Sequence, residues 1–115
     1  MMKQYFEAKA SYPECVLLFR MGDFYEAFHD DAVTLARELD LTLTARDKQQ
    51  GEPVPMAGVP HHAVEGYIRR LVEKGHHVAV CDQLEAPRPG VKLVPRGVTR
   101  VVTPGMLLDL SLIHI

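Results

Sequence analysis

The segment Arg20-Met21-Gly22-Asp23-Phe24-Tyr25-Glu26 gathers the side chains best suited to chemistry in this 115-residue sequence. Gly22 lets the backbone turn sharply or approach a partner closely, and side chains two apart on an extended segment share a face. Phe24 and Glu26 are therefore expected on one face, with Tyr25 directed into the core. An aromatic ring beside a carboxylate can stack on a flat ligand and hydrogen-bond its edge. Pattern alone favours a plainer alternative, with Phe24 packed in the core and Glu26 a surface charge, because apolar residues in strands usually pack. The acids Asp23, Glu26, Asp30 and Asp31 admit another chemistry, magnesium binding in a metal-dependent nuclease. Against it, Asp30 and Asp31 are better explained as a helix cap, and no lysine is placed as a catalytic partner.

The remaining candidates point away from metal and nucleotide chemistry. His61-His62 and His76-His77 are adjacent pairs whose rings diverge on a helix or strand, and no third ligand has zincin-type spacing, so no metal is expected. Cys15 and Cys81 form no C-x-x-C pair and read as small core residues. No G-x-x-x-x-G-K-[ST] occurs, so ATP binding through a P-loop is excluded and no cofactor is expected.

These residues need a scaffold, and the composition supplies one. With 47% apolar and 24% charged residues, the chain suits a single globular domain and not a disordered or membrane-spanning class. Its longest uncharged apolar run, Cys15 to Phe19, is far short of the ~20 residues that cross a bilayer. The N-terminus lacks the pattern of a secretion signal, so a cytoplasmic location is expected. The net charge of −2 gives no global argument for a nucleic-acid partner. Its distribution is uneven: residues 1–57 carry 6 basic and 10 acidic groups, residues 58–115 carry 7 and 5. Arg88, Lys92, Arg96 and Arg100 make a basic stretch that could meet phosphates, although a solvated loop is the plainer reading.

Periodicity predicts a short helix over Met2 to Ala10 ended by Pro13, a buried strand over Cys15 to Phe19, and an alternating strand over Phe24 to Phe28. Asp30 or Asp31 is expected to cap a helix carrying Ala32, Leu35, Ala36 and Leu39 on one face. Leu41 to Thr44 reads as a half-buried strand, and Arg46 to Pro60 as a loop with a brief strand around Val54 to Val59. The stripe Val64, Tyr67, Ile68, Leu71, Val72 marks a further helix with Gly75 after it. His77 to Cys81 and Val98 to Val102 read as buried strands, joined by a Pro/Gly-rich basic connection from Ala86 to Gly97. The expected fold class is α/β, a mixed central sheet of about five or six strands flanked by about three helices.

Several segments together carry a family resemblance: Met1-Met2 with Gln4-Tyr5, Leu17 through Glu26, Leu41-Thr42-Leu43-Thr44, Pro55 through Ala63, and Val101-Val102-Thr103-Pro104-Gly105. In this order and spacing the chain resembles the N-terminal mismatch-recognition domain of the MutS family of DNA mismatch repair proteins. The resemblance covers residues 1–109; the tail 110–115 diverges and reads as a truncation or sequencing artefact, and the chain opens a few residues short of the usual family start. The resemblance implies that Phe24 and Glu26 are the mismatch reader, with Phe24 wedged from the minor groove and Glu26 hydrogen-bonding the displaced base. It implies DNA-bordering positions for Arg46, Pro55 and Met56. It implies mismatched double-stranded DNA as partner, a dimer partner and MutL for the full-length protein, and ATP with magnesium in domains absent here, so that the fragment itself is not an enzyme. The alternatives from other classes are the nuclease above and a structural module that binds no DNA.

Overall fold

Cys15-Val16-Leu17-Leu18-Phe19 is apolar at every position, and in the computed structural model, which describes residues 2–46, 54–84 and 95–105, this run is buried on both faces of a sheet. The elements follow in the order α1 (Met2–Ser11), β1 (Cys15–Met21), β2 (Phe24–Phe28), α2 (His29–Leu39), β3 (Thr44–Arg46), β4 (Val54–Pro60), a 3-10 turn (His61–Ala63), α3 (Val64–Glu73), β5 (His77–Gln83) and β6 (Arg96–Val102). Among the described residues the chain is thus an α/β fold with six strands and three α-helices. The strands lie in the order β3-β4-β2-β1-β5-β6. The β1–β5 pair is parallel, and the other four pairings are antiparallel.

Alternation along each strand divides the core in two. Val16, Leu18, Tyr25, Ala27, Ala57, Val59, Val78 and Val80 face α2 and α3, which contribute Leu35, Leu39, Ile68 and Leu71. Leu17, Phe19, Phe28, Val54, Ala79 and the two cysteines face the other way, with Tyr5 of α1 packed among them. Tyr5 meets Phe28 and Phe19 edge-on at 5.0 and 5.8 Å, and its hydroxyl donates to the Phe28 carbonyl at 3.2 Å. Burial raises both thiols, Cys81 to about 11, which keeps them unreactive core residues.

Several expectations change in three dimensions. Neither Asp30 nor Asp31 caps α2: the N-cap position is Phe28, with no side-chain cap bond. Asp31 is instead buried, accepting a hydrogen bond from the Leu17 backbone N–H at 3.1 Å and pairing with Lys9 Nζ at 2.8 Å. Lys9 also donates to the Cys15 carbonyl at 2.6 Å, so three elements meet at this one carboxylate. A tertiary donor has displaced the local capping role.

The strand expected over Leu41 to Thr44 is shifted, and only Thr44 belongs to β3. Asp40 ends α2 in the left-handed region at φ 56°, and Leu41 N–H returns to the Ala36 carbonyl at 2.9 Å, which holds Leu41 against the helix. At the opposite edge, β6 is paired on one side only among the described residues and is mostly half-buried, with Thr99 and Arg100 exposed and Val102 alone buried, not buried throughout as its apolar residues suggested. Arg96 and Gly97 begin this strand instead of closing the connection; Arg88 and Lys92 lie outside the described residues. No described helix is long and apolar enough to cross a membrane.

Removing the Asp31 carboxylate leaves the buried Leu17 N–H without its acceptor and Lys9 with only the Cys15 carbonyl. Asp31→Ala is expected to lower the unfolding free energy by about 2–3 kcal/mol, with a smaller loss for Asp31→Asn, measured by urea denaturation. Equal stability of parent and both variants would show that this carboxylate does not hold α1 to the sheet.

Candidate nucleic-acid interface

Two residues, Gly22 and Asp23, connect β1 to β2, and Met21 pairs directly with Phe24 across them. Gly22 has φ 61°, the positive value that the first central residue of a II′ hairpin turn requires. The turn is held from both sides. Arg20 Nε donates to the Gly22 carbonyl at 2.6 Å. From the 3-10 turn, His61 backbone N–H donates to the Asp23 carbonyl at 2.8 Å, and His61 Nδ1 bonds the same oxygen at 3.0 Å.

This turn fixes the start of β2. Phe24 is 45% exposed. Its cross-strand partners are Met21 on β1 and Pro60 on β4, so an apolar rim surrounds the base of the ring. Glu26 follows on the same face, half-buried between Phe19 on β1 and Gly58 on β4. Phe28, next again, is fully buried beneath Tyr5 of α1. The face therefore grades from open to covered along one strand, because α1 shields only the far end.

Tyr25 points to the opposite face and is buried, its hydroxyl donating to Asp82 Oδ2 at 2.5 Å while the Arg20 guanidinium lies 5.4 Å from its ring centre. The alternation expected over Phe24 to Glu26 is thus present. The plainer alternative that pattern favoured, Phe24 as a core residue, is overturned: among the described residues no helix covers its ring.

Among the described residues, no hydrogen bond or ion pair meets the Glu26 carboxyl. Burial alone raises its proton affinity above the ordinary carboxylate value of 4.5. A half-desolvated carboxyl with no partner among the described residues costs stability. A flat ring system stacked on Phe24 would present its edge to this group.

The further candidate positions divide. Met56 shares the Phe28 rung on the same face as Glu26, half-buried, whereas Pro55 pairs with Ala45 and turns to the other face. Arg46 pairs with Val54 through the backbone at the end of β3. Of the basic stretch, Arg100 forms a two-pronged pair with Glu65, with the Nη2–Oε1 contact at 2.9 Å. Arg96 lies over the Phe19 ring at 5.0 Å and donates to the Arg20 carbonyl at 2.8 Å. Arg100 is exposed, as the solvated reading expected, although on a strand and ion-paired at the surface; Arg96 is half-buried and serves the fold.

The acids of the nuclease alternative do not converge. Asp31 is engaged by Lys9 and Leu17, and among the described residues no three His, Cys, Asp or Glu side chains gather where they could hold a metal ion. Sequence reasoning gave no role to Arg20, His61 or Gly58, which support the turn and the Glu26 carboxyl. A glycine inside a strand was the available signal, since it often marks a close approach by another group.

Fold and site together define an α/β recognition module whose open surface is the turn end of one sheet face. The chain belongs to the family described as MutS domain I, whose sequence model matches residues 1–111. Among full-length relatives, it is 56% identical over 114 residues to the DNA mismatch repair protein MutS of Solibacter usitatus, covering 99% of this chain and 13% of that protein. The protein of the same name from Syntrophobacter fumaroxidans is 59% identical over 109 residues, covering 95% of this chain and 12% of its own length. That of Methanosarcina mazei is 54% identical over 112 residues, covering 96% and 12%. The chain therefore spans about an eighth of the length of these relatives.

The raised Glu26 value has a consequence for stability. The folded protein binds this proton more tightly than the unfolded chain, so stability falls as pH rises from near 4.5 through the raised value, and the cost is fully present above it. Glu26→Gln is expected to melt at a higher temperature than the parent at pH 7, the advantage vanishing below about pH 4. Calorimetry across that range checks this, and an equal or lower melting temperature at pH 7 would contradict the unpaired, desolvated carboxyl.

Proposed function

We propose that this chain reads mispaired or unpaired bases in duplex DNA for mismatch repair. The observation that carries the proposal is the exposed Phe24 ring with the unpartnered Glu26 carboxyl two residues along the same face. Membership of the MutS domain I family supports it, as do relatives named for mismatch repair.

The mechanism follows from how DNA deforms. A side chain wedged into the minor groove unstacks a base step and kinks the duplex, at a cost of a few kcal/mol. A mismatched step has already lost part of its pairing and stacking, so opening it is cheaper, and selectivity comes from deformability without a base code. Phe24 stacks on one mispaired base, a contact worth roughly 1–3 kcal/mol and tolerant of base identity. That tolerance suits a reader of many kinds of error.

Glu26 supplies the discrimination. Beside phosphates its carboxylate is repelled and its proton affinity rises further. On a displaced base it hydrogen-bonds the exposed edge, accepting when ionised and donating when protonated. Intact duplex offers no such partner and meets chiefly the repulsion. Met56 and Arg46, and at one remove Pro55, lie along the neighbouring β3–β4 hairpin and contribute backbone or groove contacts.

For the whole protein we propose a cytoplasmic, DNA-associated mismatch repair factor that works as a dimer and engages MutL. ATP and magnesium would be bound by its other domains. The 115 residues contain no G-x-x-x-x-G-K-[ST] cradle for a nucleotide, and this part acts as a reader and not as an enzyme.

Fluorescence anisotropy with heteroduplex and homoduplex DNA at low, stated salt tests the reading. Phe24→Ala is expected to weaken heteroduplex binding about tenfold, the loss of one stacked base, and homoduplex binding much less. An unchanged heteroduplex affinity would sink the wedge. Glu26→Gln is expected to raise homoduplex affinity relative to heteroduplex, and the absence of that rise would remove the discriminating role of the charge. Magnesium-dependent cleavage of duplex by the purified chain would favour the nuclease instead, and binding to neither DNA would favour a structural module.

A further inference from the structure

Gly58 sits on β4 directly across from Glu26. A methyl group built there would lie 2.6 Å from Glu26 Cδ and 2.7 Å from Oε1, with Oε2 closer still. The Glu26 carboxyl therefore occupies the space that any side chain at position 58 would need. The other described glycines differ: a methyl at Gly22, Gly66, Gly75 or Gly105 meets nothing within 4 Å, and one at Gly97 only touches Leu84 at 3.3 Å. The Gly58 backbone is also outside the left-handed region, so its conformation is open to any residue, and glycine in a strand interior is otherwise a disadvantage. Neither conformation nor strand propensity accounts for glycine here; the carboxyl above it does.

We propose that Gly58 is a positioning residue for mismatch reading: its missing side chain is the seat in which the Glu26 carboxyl lies flat across β4, two residues from Phe24 on the same face. This rests on the reading of Glu26 given above and adds the device that orients it. A glutamate has several rotatable bonds, and leaving them free would lower the strength of any hydrogen bond it makes. Seated against the sheet, the carboxyl is already placed when a base stacks on Phe24. The directly paired neighbours Phe19 and Gly58 are uncharged and Arg20 turns to the Tyr25 face, while the Arg96 guanidinium lies on the same face as Glu26, over the Phe19 ring.

Gly58→Ala is the direct test, because alanine suits a strand and the group it displaces is the free end of a flexible side chain, so the fold should survive. In the purified 115-residue chain, the cross-relaxation between the Glu26 γ-protons and the Gly58 α-protons should be replaced by a displaced Glu26. The Glu26 Cδ titration midpoint should move down toward an ordinary carboxylate as the group is pushed toward water. Heteroduplex affinity should fall about tenfold, the loss of one hydrogen bond to a charged group, while homoduplex affinity stays near the parent. In a Glu26→Ala background, adding Gly58→Ala should change neither affinity further. If Glu26→Ala leaves the heteroduplex-to-homoduplex ratio unchanged, the reading of Glu26 is overturned and the positioning role with it. If Glu26→Ala alters that ratio while Gly58→Ala matches the parent in binding and titration, or if the two effects simply add, the positioning role alone is overturned.

Discussion

The buried Asp31 carboxylate is the contact on which the rest of this structure depends. It holds Lys9 of α1 and the backbone of Leu17 at once, and Lys9 in turn holds the Cys15 carbonyl. That fixes where α1 crosses the sheet. Tyr5 then lands over Phe28 and Phe19. Placing a charge pair in a poorly hydrated site is a weak source of stability but a strong source of geometry, since few alternative placements satisfy both groups. Here the geometry it selects leaves one end of a sheet face bare.

At that bare end, features that would count against a purely structural domain coincide. An aromatic ring stands in solvent, and a carboxyl is half-desolvated without a cation or donor among the described residues. Around them the support is rigid: a II′ turn with glycine at its strained position, an arginine and a histidine bonded to the two turn carbonyls, and a glycine that leaves room for the carboxyl.

Charge follows the same division. Arg20, Arg96 and Arg100 are engaged in ring contacts, carbonyl hydrogen bonds or ion pairs within the fold. They shape the sheet and its edges. On the proposed reading, such a module contributes selectivity more than grip: a deformability test needs one wedge and one well-placed polar group, while salt-dependent phosphate contacts supply affinity wherever they are located.

Much of this was legible in the residues. The all-apolar run at Cys15 to Phe19 dictated a strand buried on both faces, the 3.6-residue stripes of α2 and α3 dictated amphipathic helices, and period-two alternation put Phe24 and Glu26 on one face with Tyr25 on the other, because these patterns arise from local geometry that every chain shares. What alternation cannot say is whether a face is covered. Phe24 and Phe28 are the same residue type on the same face of the same strand, yet one is exposed and the other buried, because α1 reaches only the second. The roles of Asp31, Arg96 and Arg100 were likewise hidden, since their partners are 14 to 76 residues away in sequence. The local capping and loop signals gave way to those distant donors and acceptors. So did the meaning of Gly58: a missing side chain acquires a purpose only when another strand brings a carboxyl into its place, which is a decision of strand pairing and not of sequence.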